Sequence, residues 1–146
     1  MRALAKIKAR HLRQPLSRSE MMARIRSAET SPERAVRSSL HAAGKRFRKN
    51  ARDLPGKPDV VNRSKGWAIF IHGCFWHSHR GCPLASSPKT NMGYWRPKLA
   101  RNAELDAEAQ ERLRRAGYHV FVIWECETRD PEQLCNRIVE ICDQID

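Results

Sequence analysis

Apolar residues recur at helical spacing in some segments of this chain and form continuous runs in others. Helical spacing and capping residues predict helices over residues 17–27, 31–44, 95–116 and 131–145. Apolar runs rich in β-branched and aromatic residues predict strands over 46–49, 58–61, 67–71 and 118–124. Pro55 and Gly56 stand in the order that a type II turn favours. The element order α-α-β-β-β-α-β-α predicts an α/β fold.

The charge of the chain indicates its partner. The 146 residues include 28 Lys and Arg against 16 Asp and Glu, a formal net charge of +12. Such a chain is attracted to polyanions, which favours nucleic acid. A membrane partner is not expected, because no apolar segment reaches the length of a span. Residues 1–16 are interpreted as a basic, flexible arm that either orders on nucleic acid or only solubilises the chain, and 17–146 as a single domain.

The five cysteines are odd in number and no export signal is apparent, which favours free thiols in the cytoplasm over a disulfide framework. Cys135 and Cys142 lie seven residues apart on the last predicted helix and are expected to fill the core.

The densest chemistry lies in residues 72–82, where three histidines and two cysteines follow a predicted strand. Cysteine and histidine are the ligands that zinc prefers, usually four in a tetrahedral set. Cys126 follows another strand, and if the two strands are neighbours they deliver cysteines to one edge of the sheet. We therefore predict a structural zinc site, formed by Cys74, His79, Cys82 and Cys126. The alternative for Cys126 is a small buried side chain of the core.

Two further histidines are candidates for catalysis. His72 ends a predicted strand and His77 lies in the loop after it. Imidazole suits proton transfer near neutral pH. Asp59 opens the strand expected to pair with the one ending at His72, so its carboxylate can bind Mg²⁺. A divalent metal, an oriented water and a phosphodiester together describe nuclease chemistry. Taken singly, each residue has a simpler interpretation as an ordinary hydrogen-bonded or strand-edge side chain.

Three segments resemble the very-short-patch repair (Vsr) endonuclease family: 54–59, 69–77 and 123–126. The similarity extends to 17–25, 31–33 and 94–102 and covers nearly the whole chain from Ser17 to the last helix. It implies a restriction-endonuclease-like fold, with a central mixed β-sheet flanked by helices and a structural zinc site on the same four residues. It also implies a Mg²⁺-dependent, strand-specific nick beside the thymine of a T:G mismatch, which arises when 5-methylcytosine deaminates.

The resemblance also implies roles for the catalytic residues. The Mg²⁺ ligands fall on Asp59 and on the backbone carbonyl of Ile71, where family members often carry threonine. The catalytic histidines fall on His72 and His77, and a helix-borne glutamate falls on Glu33. We expect His77 to take a proton from the attacking water while Glu33 accepts its other N–H. His72 then contacts the phosphate and assists the leaving group, although the spacing also allows the two histidines to exchange roles.

Contacts with DNA follow from the same resemblance. Three aromatic rings are expected to insert between base pairs, those of Phe75, Trp76 and Trp95. Such insertion costs a few kcal/mol of stacking, and a mismatched step opens more easily. Four nearby cations are candidates for phosphate contacts, namely Lys89, Arg96, Lys98 and Arg101. The implied partners are double-stranded DNA with a T:G mismatch and mismatch-repair proteins such as MutL, with the chain acting as a monomer on bacterial nucleoid DNA.

Two other functions fit the residues. A zinc-containing DNA-binding module without catalysis would share the charge and the zinc ligands, but it would not need Asp59, His72, His77 and Glu33 together. A general restriction-type nuclease would cut matched and mismatched DNA equally. An RNA-binding protein is a weaker alternative, because the sequence has no RNA-recognition signature.

Overall fold

A computed structural model of the chain describes residues 30–85 and 91–146. Within them, a four-stranded sheet holds its strands side by side in chain order: β1 (Arg48–Lys49), β2 (Val60–Asn62), β3 (Trp67–His72) and β4 (His119–Trp124). The pairs β1–β2 and β2–β3 are antiparallel, whereas β3–β4 is parallel. The predicted mixed sheet is therefore confirmed.

The helices of the described residues are α1 (Ser31–Ala42), α2 (Met92–Arg115), α3 (Glu125–Thr128) and α4 (Pro131–Ile145), with a 3-10 turn at Pro83–Ala85. α4 begins as predicted, because the Asp130 side chain accepts the Glu132 N–H at 3.0 Å and Pro131 takes the first helical position. The short helix α3 was not predicted, and α2 begins at Met92, earlier than expected. The predicted helix over 17–27 and the basic arm over 1–16 lie outside the described residues.

Both faces of the sheet are covered, which explains the continuous apolar run of β3. Trp67 and Ile69 pack in one core cluster with residues of α1 and α4. Ala68 and Phe70 pack in a second cluster on the opposite face, together with Leu113 of α2. A parallel pair needs a crossover connection, and α2 lies within the segment that links β3 to β4.

The cysteines of α4 divide between core and surface. Cys142 packs against the first core cluster as expected, but Cys135 is exposed, so the prediction that it fills the core is wrong. The buried stripe of α4 is formed by Leu134, Ile138 and Ile141, and Cys135 lies beside this stripe. Among the described residues, no helix has the length and apolar character that crossing a membrane would require.

The site is positioned by the strand directions. Because β3 and β4 are parallel, their carboxyl ends meet at one edge of the sheet, where His72 pairs with Trp124. β2 runs in the opposite direction, so the residue before it, Asp59, reaches the same edge and donates its N–H to Ile69 O at 3.1 Å. This edge therefore collects residues from three chain segments.

The turn before Asp59 packs closely against α2, and a glycine makes this contact possible. Lys57 N–H donates to Leu54 O at 3.0 Å, and Gly56 has a positive φ of 70°, as the third position of a type II turn requires. A Cβ atom on Gly56 would lie 2.6 Å from the Ala109 Cβ and 3.0 Å from the Phe70 ring. The turn can approach the helix this closely only because the residue is glycine.

We expect Gly56→Ala to destabilise the protein more than Gly44→Ala. Both glycines have positive φ, but a Cβ on Gly44 would meet nothing within 4 Å. Gly44→Ala, the matched control, should therefore lower the free energy of unfolding only by the strain of an alanine with positive φ, about 1–2 kcal/mol. Gly56→Ala adds an overpacking cost of about 1–3 kcal/mol. Urea unfolding of both variants measures the difference, and equal losses would contradict the close seating of the turn.

Candidate active site and metal centre

The four residues named from the sequence as zinc ligands converge at the sheet edge. The ligand atoms of Cys74, His79, Cys82 and Cys126 all lie within 4.8 Å of one another. His79 Nδ1 is 3.6 Å from Cys74 Sγ and 3.5 Å from Cys126 Sγ. A tetrahedral zinc ion with bonds of about 2.3 Å to sulfur and about 2.0 Å to nitrogen separates such ligands by about 3.6 Å. The donor set and its spacing therefore fit a tetrahedral metal centre.

The loop after β3 is folded by its own backbone. His77 N–H donates to Gly73 O at 3.1 Å, and His79 N–H donates to Cys74 O at 3.0 Å. The loop is also held by α3, because the Cys74 N–H donates to Glu125 Oε1 at 3.4 Å. These contacts bring the loop ligands to Cys126, which lies on α3 directly after the strand.

The thiols of the cluster are not equivalent. Burial raises the pKa of Cys74 to about 12 and also raises the pKa of Cys126. Burial opposes ionisation of Cys82 as well, but hydrogen bonds from the Leu84 backbone and the Cys74 thiol lower its pKa overall. Three thiolates cannot share this space without a cation to balance them, and metal binding displaces the thiol protons.

Two stacked imidazoles lie beside the cluster. The rings of His72 and His77 are parallel within 7°, with centroids 3.9 Å apart. His72 is only 4% exposed. Its burial, and the nearby His77, lower the pKa of His72 to about 4, so this imidazole is neutral at pH 7.

Trp124 contacts both a histidine of the thiol cluster and one of the two stacked imidazoles. Its ring stacks on His79 at 4.0 Å and meets the edge of His72 at 5.2 Å. Trp124 is the last residue of β4. The structure shows that its packing partners are the imidazoles of both sites.

His77 has a carboxylate partner that the sequence motifs did not indicate. His77 Nδ1 lies 2.5 Å from Asp106 Oδ2, whereas Glu33 was the expected partner. Glu33 is buried on α1, lies 3.6 Å from Arg37 in an ion pair, and raises the pKa of Asp59 by its charge. A direct contact of Glu33 with His77 stays a prediction.

A signal for Asp106 was present in the sequence. Along the long helix, apolar residues recur at Leu99, Ala103, Ala109 and Leu113, and the turn between Ala103 and Ala109 contributes no apolar residue to this stripe. Asp106 fills that gap and is half-buried. A carboxylate at an inward-facing helical position usually has a partner, because burial without one is costly.

A second group of possible metal ligands is formed by His72, His77 and Asp106. Their ligand atoms also lie within 4.8 Å of one another. Stacked parallel rings, however, direct their nitrogen lone pairs side by side and not toward a common point. The trio therefore suits proton transfer better than metal binding.

Asp59 lies against the backbone of Ile71. Its Oδ2 accepts the Ile71 N–H at 2.7 Å. The N–H and C=O of a strand residue point to the same side, so the Ile71 carbonyl also faces the Asp59 side. Burial raises the pKa of Asp59 to about 6, against the lowering effect of the Ile71 hydrogen bond. A buried carboxylate beside a carbonyl oxygen fits a hard cation such as Mg²⁺.

An aromatic cluster borders this site. The rings of Phe75, Trp76 and Trp95 pack edge to face with centroids 5.4 to 5.8 Å apart. Asn102 Nδ2 lies 3.4 Å from Trp76 O and ties the loop to α2. Tyr94, which is 60% exposed, extends the cluster from α2.

Lys98 lies against the aromatic rings, and further cations are exposed on the same helix. Lys98 Nζ lies 5.4 to 5.7 Å from the centroids of three rings, those of Trp76, Tyr94 and Trp95. Arg96 and Arg101 are exposed on the same helix. Lys89 lies outside the described residues. Lys98 and the three rings form one surface, which could bind both a phosphate group and flat bases.

Comparisons with known proteins agree with these features. The model of the family described as DNA mismatch endonuclease Vsr matches residues 11–83. The chain is 43% identical to the Type II nicking enzyme V.XorIIP of Xanthomonas oryzae pv. oryzae, over 88% of this chain and 94% of the relative. It is 38% identical to the DNA mismatch endonuclease Vsr of Escherichia coli, over 81% of this chain and 75% of the relative.

We expect Asp59→Asn to stabilise the metal-free protein near neutral pH. The folded-state pKa of about 6 lies above the usual Asp value. Asp59 therefore favours folding most below about pH 4, and that contribution is lost as the pH rises through 6. Two pKa units correspond to ~3 kcal/mol. Asparagine keeps an acceptor for the Ile71 N–H and has no charge to bury.

Thermal unfolding without added Mg²⁺ measures this effect at about pH 8 and about pH 4. The variant should melt higher than the wild type at the first pH and lose that advantage at the second. The matched control is Asp53→Asn, which removes an exposed carboxylate paired with Arg63 at 2.6 Å and should cause a small loss instead. Equal melting of wild type and Asp59→Asn near pH 8 would contradict the burial cost of Asp59.

Proposed function

The chain belongs to the Vsr family of DNA mismatch endonucleases, and on that premise we propose that it nicks one strand beside the thymine of a T:G mismatch. Such mismatches arise when 5-methylcytosine deaminates. The observation that carries the proposal is the meeting of Asp59, His72 and His77 at one sheet edge, beside an aromatic cluster. We further propose that the mixed sheet is the core of a restriction-endonuclease-like fold.

His77 is the general base of this proposal. With Asp106 accepting the Nδ1–H, the Nε2 atom is the nitrogen left to take a proton from the attacking water. The Asp106 carboxylate also stabilises the imidazolium that forms. A positioned base contributes about 10²–10⁴-fold to a rate.

His72 is better suited to support the reaction than to start it. Its pKa of about 4 means that it is neutral when His77 becomes protonated, so the two stacked rings do not carry like charges. A neutral imidazole can hydrogen-bond the phosphate or donate toward the leaving oxygen. This contrast in environment favours His77 over His72 as the base, which spacing alone left open.

Asp59 and the Ile71 carbonyl would hold Mg²⁺. When bound there, this ion stabilises the negative charge that builds on the phosphate oxygens. Asp59 contributes the carboxylate and, through its hydrogen bond to the Ile71 N–H, fixes the direction of the neighbouring peptide group. The charge of Glu33 acts on this carboxylate from α1.

Cys74, His79, Cys82 and Cys126 would hold a structural Zn²⁺. Three thiolates and one imidazole fill the four tetrahedral positions and leave none for substrate. The loop residues His77, Phe75 and Trp76 lie between the ligands Cys74 and His79. Zinc would therefore fix the base and part of the aromatic cluster at once.

The aromatic cluster would act as the wedge that enters the DNA. Phe75, Trp76 and Trp95 already pack against one another, so little side-chain freedom is lost when they insert. Insertion is easier at a mismatched step than at a paired one. Phosphate contacts are proposed for Lys89, Arg96, Lys98 and Arg101. A link to repair proteins such as MutL, and action as a monomer, stay predictions from the family.

We expect the wild-type chain with Mg²⁺ to nick a T:G duplex and to leave the matched duplex intact. Asp59→Asn should bind the same DNA and not cut it, because a neutral amide is a poor ligand for Mg²⁺. Gel analysis of strands labelled separately measures both. Tight binding without cutting by the wild type would support a DNA-binding module instead, and equal cutting of both duplexes would support a general restriction-type nuclease.

We expect Asp106→Asn to slow single-turnover nicking by about 10- to 1000-fold, because the amide cannot stabilise a protonated His77. DNA affinity should not change. The matched control is Glu111→Gln on the same helix, where an exposed carboxylate pairs with Arg115 at 3.2 Å. Nicking by Asp106→Asn at the wild-type rate would show that His77 does not act through this carboxylate.

A further inference from the structure

An exposed lysine with a strained backbone conformation lies two residues before Asp59. Lys57 has a positive φ of 52°, which residues other than glycine rarely adopt. The residue before a proline normally prefers an extended conformation, and Pro58 follows directly. Left-handed backbone costs folding free energy, and residues that carry such strain cluster at functional sites. Glycine would suit this position better, so the presence of a lysine side chain calls for a physical reason.

The chain before Lys57 packs against the elements that carry the catalytic histidines. The backbone of Gly56 lies directly against Ala109 of α2 and against the Phe70 ring of β3. The Phe70 ring lies beside the imidazole of His72, with 5.8 Å between the ring centroids. Ala109 is about one helical turn from the carboxylate that pairs with the second stacked imidazole. The turn that carries Lys57 is therefore a neighbour of both histidines.

The chain after Lys57 leads directly into the candidate Mg²⁺ ligand. Pro58 O accepts the Ala51 N–H at 3.1 Å, and Asp59 O accepts the Asn50 N–H at 3.0 Å. These hydrogen bonds fix the backbone that joins the lysine to the carboxylate. Two residues span at most about 7 Å. The flexible four-carbon stem of a lysine can therefore bring its ammonium group to a phosphate that lies at Asp59.

The negative charge at this edge of the sheet gives a cation something to do. Glu33 acts on Asp59 by its charge, and Asp106 contacts His77. These carboxylates repel the backbone of a DNA strand that approaches the site. Lys57 is exposed, and no carboxylate of residues 30–85 or 91–146 pairs with its ammonium group. Its charge is therefore available to an anion from outside the chain.

We propose that the Lys57 ammonium group binds a phosphate of the nicked strand beside the scissile one, and that the left-handed turn holds the lysine in place for this contact. The contact positions the strand and does not read its sequence, because every nucleotide carries a phosphate. The inference rests on the proposed function. It adds a DNA contact on the turn before β2, whereas Arg96, Lys98 and Arg101 lie on α2.

The first test is the salt dependence of binding to a T:G duplex by the full chain, without added Mg²⁺ so that the DNA stays uncut. Loss of one phosphate contact lowers the slope of log affinity against log salt by about 0.9. Between about 50 and about 200 mM salt, Lys57→Gln should therefore lose about 3-fold less affinity than the wild type. Lys57→Arg keeps the charge and should keep the slope.

The matched control for this charge is Lys65→Gln. Lys65 is also exposed, but it lies in the turn that joins β2 to β3, at the end of these strands opposite to Asp59. Its removal changes the net charge by the same amount and should leave the salt slope at the wild-type value. An equal decrease in both variants would show a general effect of charge and would overturn the contact.

A second pair of variants separates the side chain from the backbone. Lys57→Gly should melt at a higher temperature than Lys57→Gln, because glycine adopts positive φ freely, and it should bind DNA as weakly. Asn50→Gly is the control, since Asn50 also has a positive φ, of 55°. It should bind DNA as the wild type does. Wild-type affinity and salt slope in Lys57→Gly would overturn the proposal in a variant whose fold is not strained.

A double-mutant cycle locates the contact on the DNA. Each phosphate of the nicked strand within about three nucleotides of the nick is replaced, one at a time, by a neutral methylphosphonate. At one of these positions the wild type should lose affinity, whereas Lys57→Gln should lose no more than it has already lost. Additive losses at every position would mean that the lysine contacts none of these phosphates.

These outcomes distinguish the inference from the proposed function. If the wild type nicks the T:G duplex while Lys57→Gln keeps the wild-type salt slope, or while every cycle is additive, the inference fails and the proposed function stands. If the wild type does not nick the T:G duplex, the proposed function fails and the inference fails with it. A lower slope in Lys57→Gln, wild-type slopes in Lys57→Arg and Lys65→Gln, and coupling at one phosphate together support the contact.

Discussion

The parallel pairing of β3 with β4 holds the candidate site together. It sets His72 opposite Trp124 and brings the two chain segments after these strands to one edge of the sheet. Cys74 and Cys126, far apart in sequence, meet only because of this pairing. A shift of the register by one residue would turn the side chains of a strand to the opposite face and separate the two groups.

The residues gathered at this edge are costly to bury, and the cost indicates what they do. Burial favours the neutral forms of His72, Asp59 and Cys74 at once. Such side chains would not be placed together for stability, since apolar residues of similar size would pack at lower cost. Groups with strongly shifted pKa values in one place are typical of catalytic and metal sites, where a bound cation or substrate restores the balance.

The loop between β3 and the 3-10 turn carries, within a few residues, members of three different side-chain groups. Cys74 and His79 belong to the thiol cluster, Phe75 and Trp76 to the aromatic cluster, and His77 to the stacked imidazoles. Residues of the three groups follow one another along this loop. None of the groups can therefore move without the others. If the proposed function is correct, DNA that does not admit the aromatic rings would also be misplaced against His77.

Sequence patterns were enough to predict the helices and strands with long, regular apolar stretches, the convergence of Cys74, His79, Cys82 and Cys126 in one candidate metal cluster, and the placement of Asp59 at the sheet edge where His72 lies. These features depend on local spacing and on chemically distinctive residues close together in the chain. The pairing of Asp106 with His77, by contrast, is visible only in the folded chain. Acidic residues are common on exposed helix faces, and one of them becomes distinctive only when packing brings it against an imidazole from a distant segment.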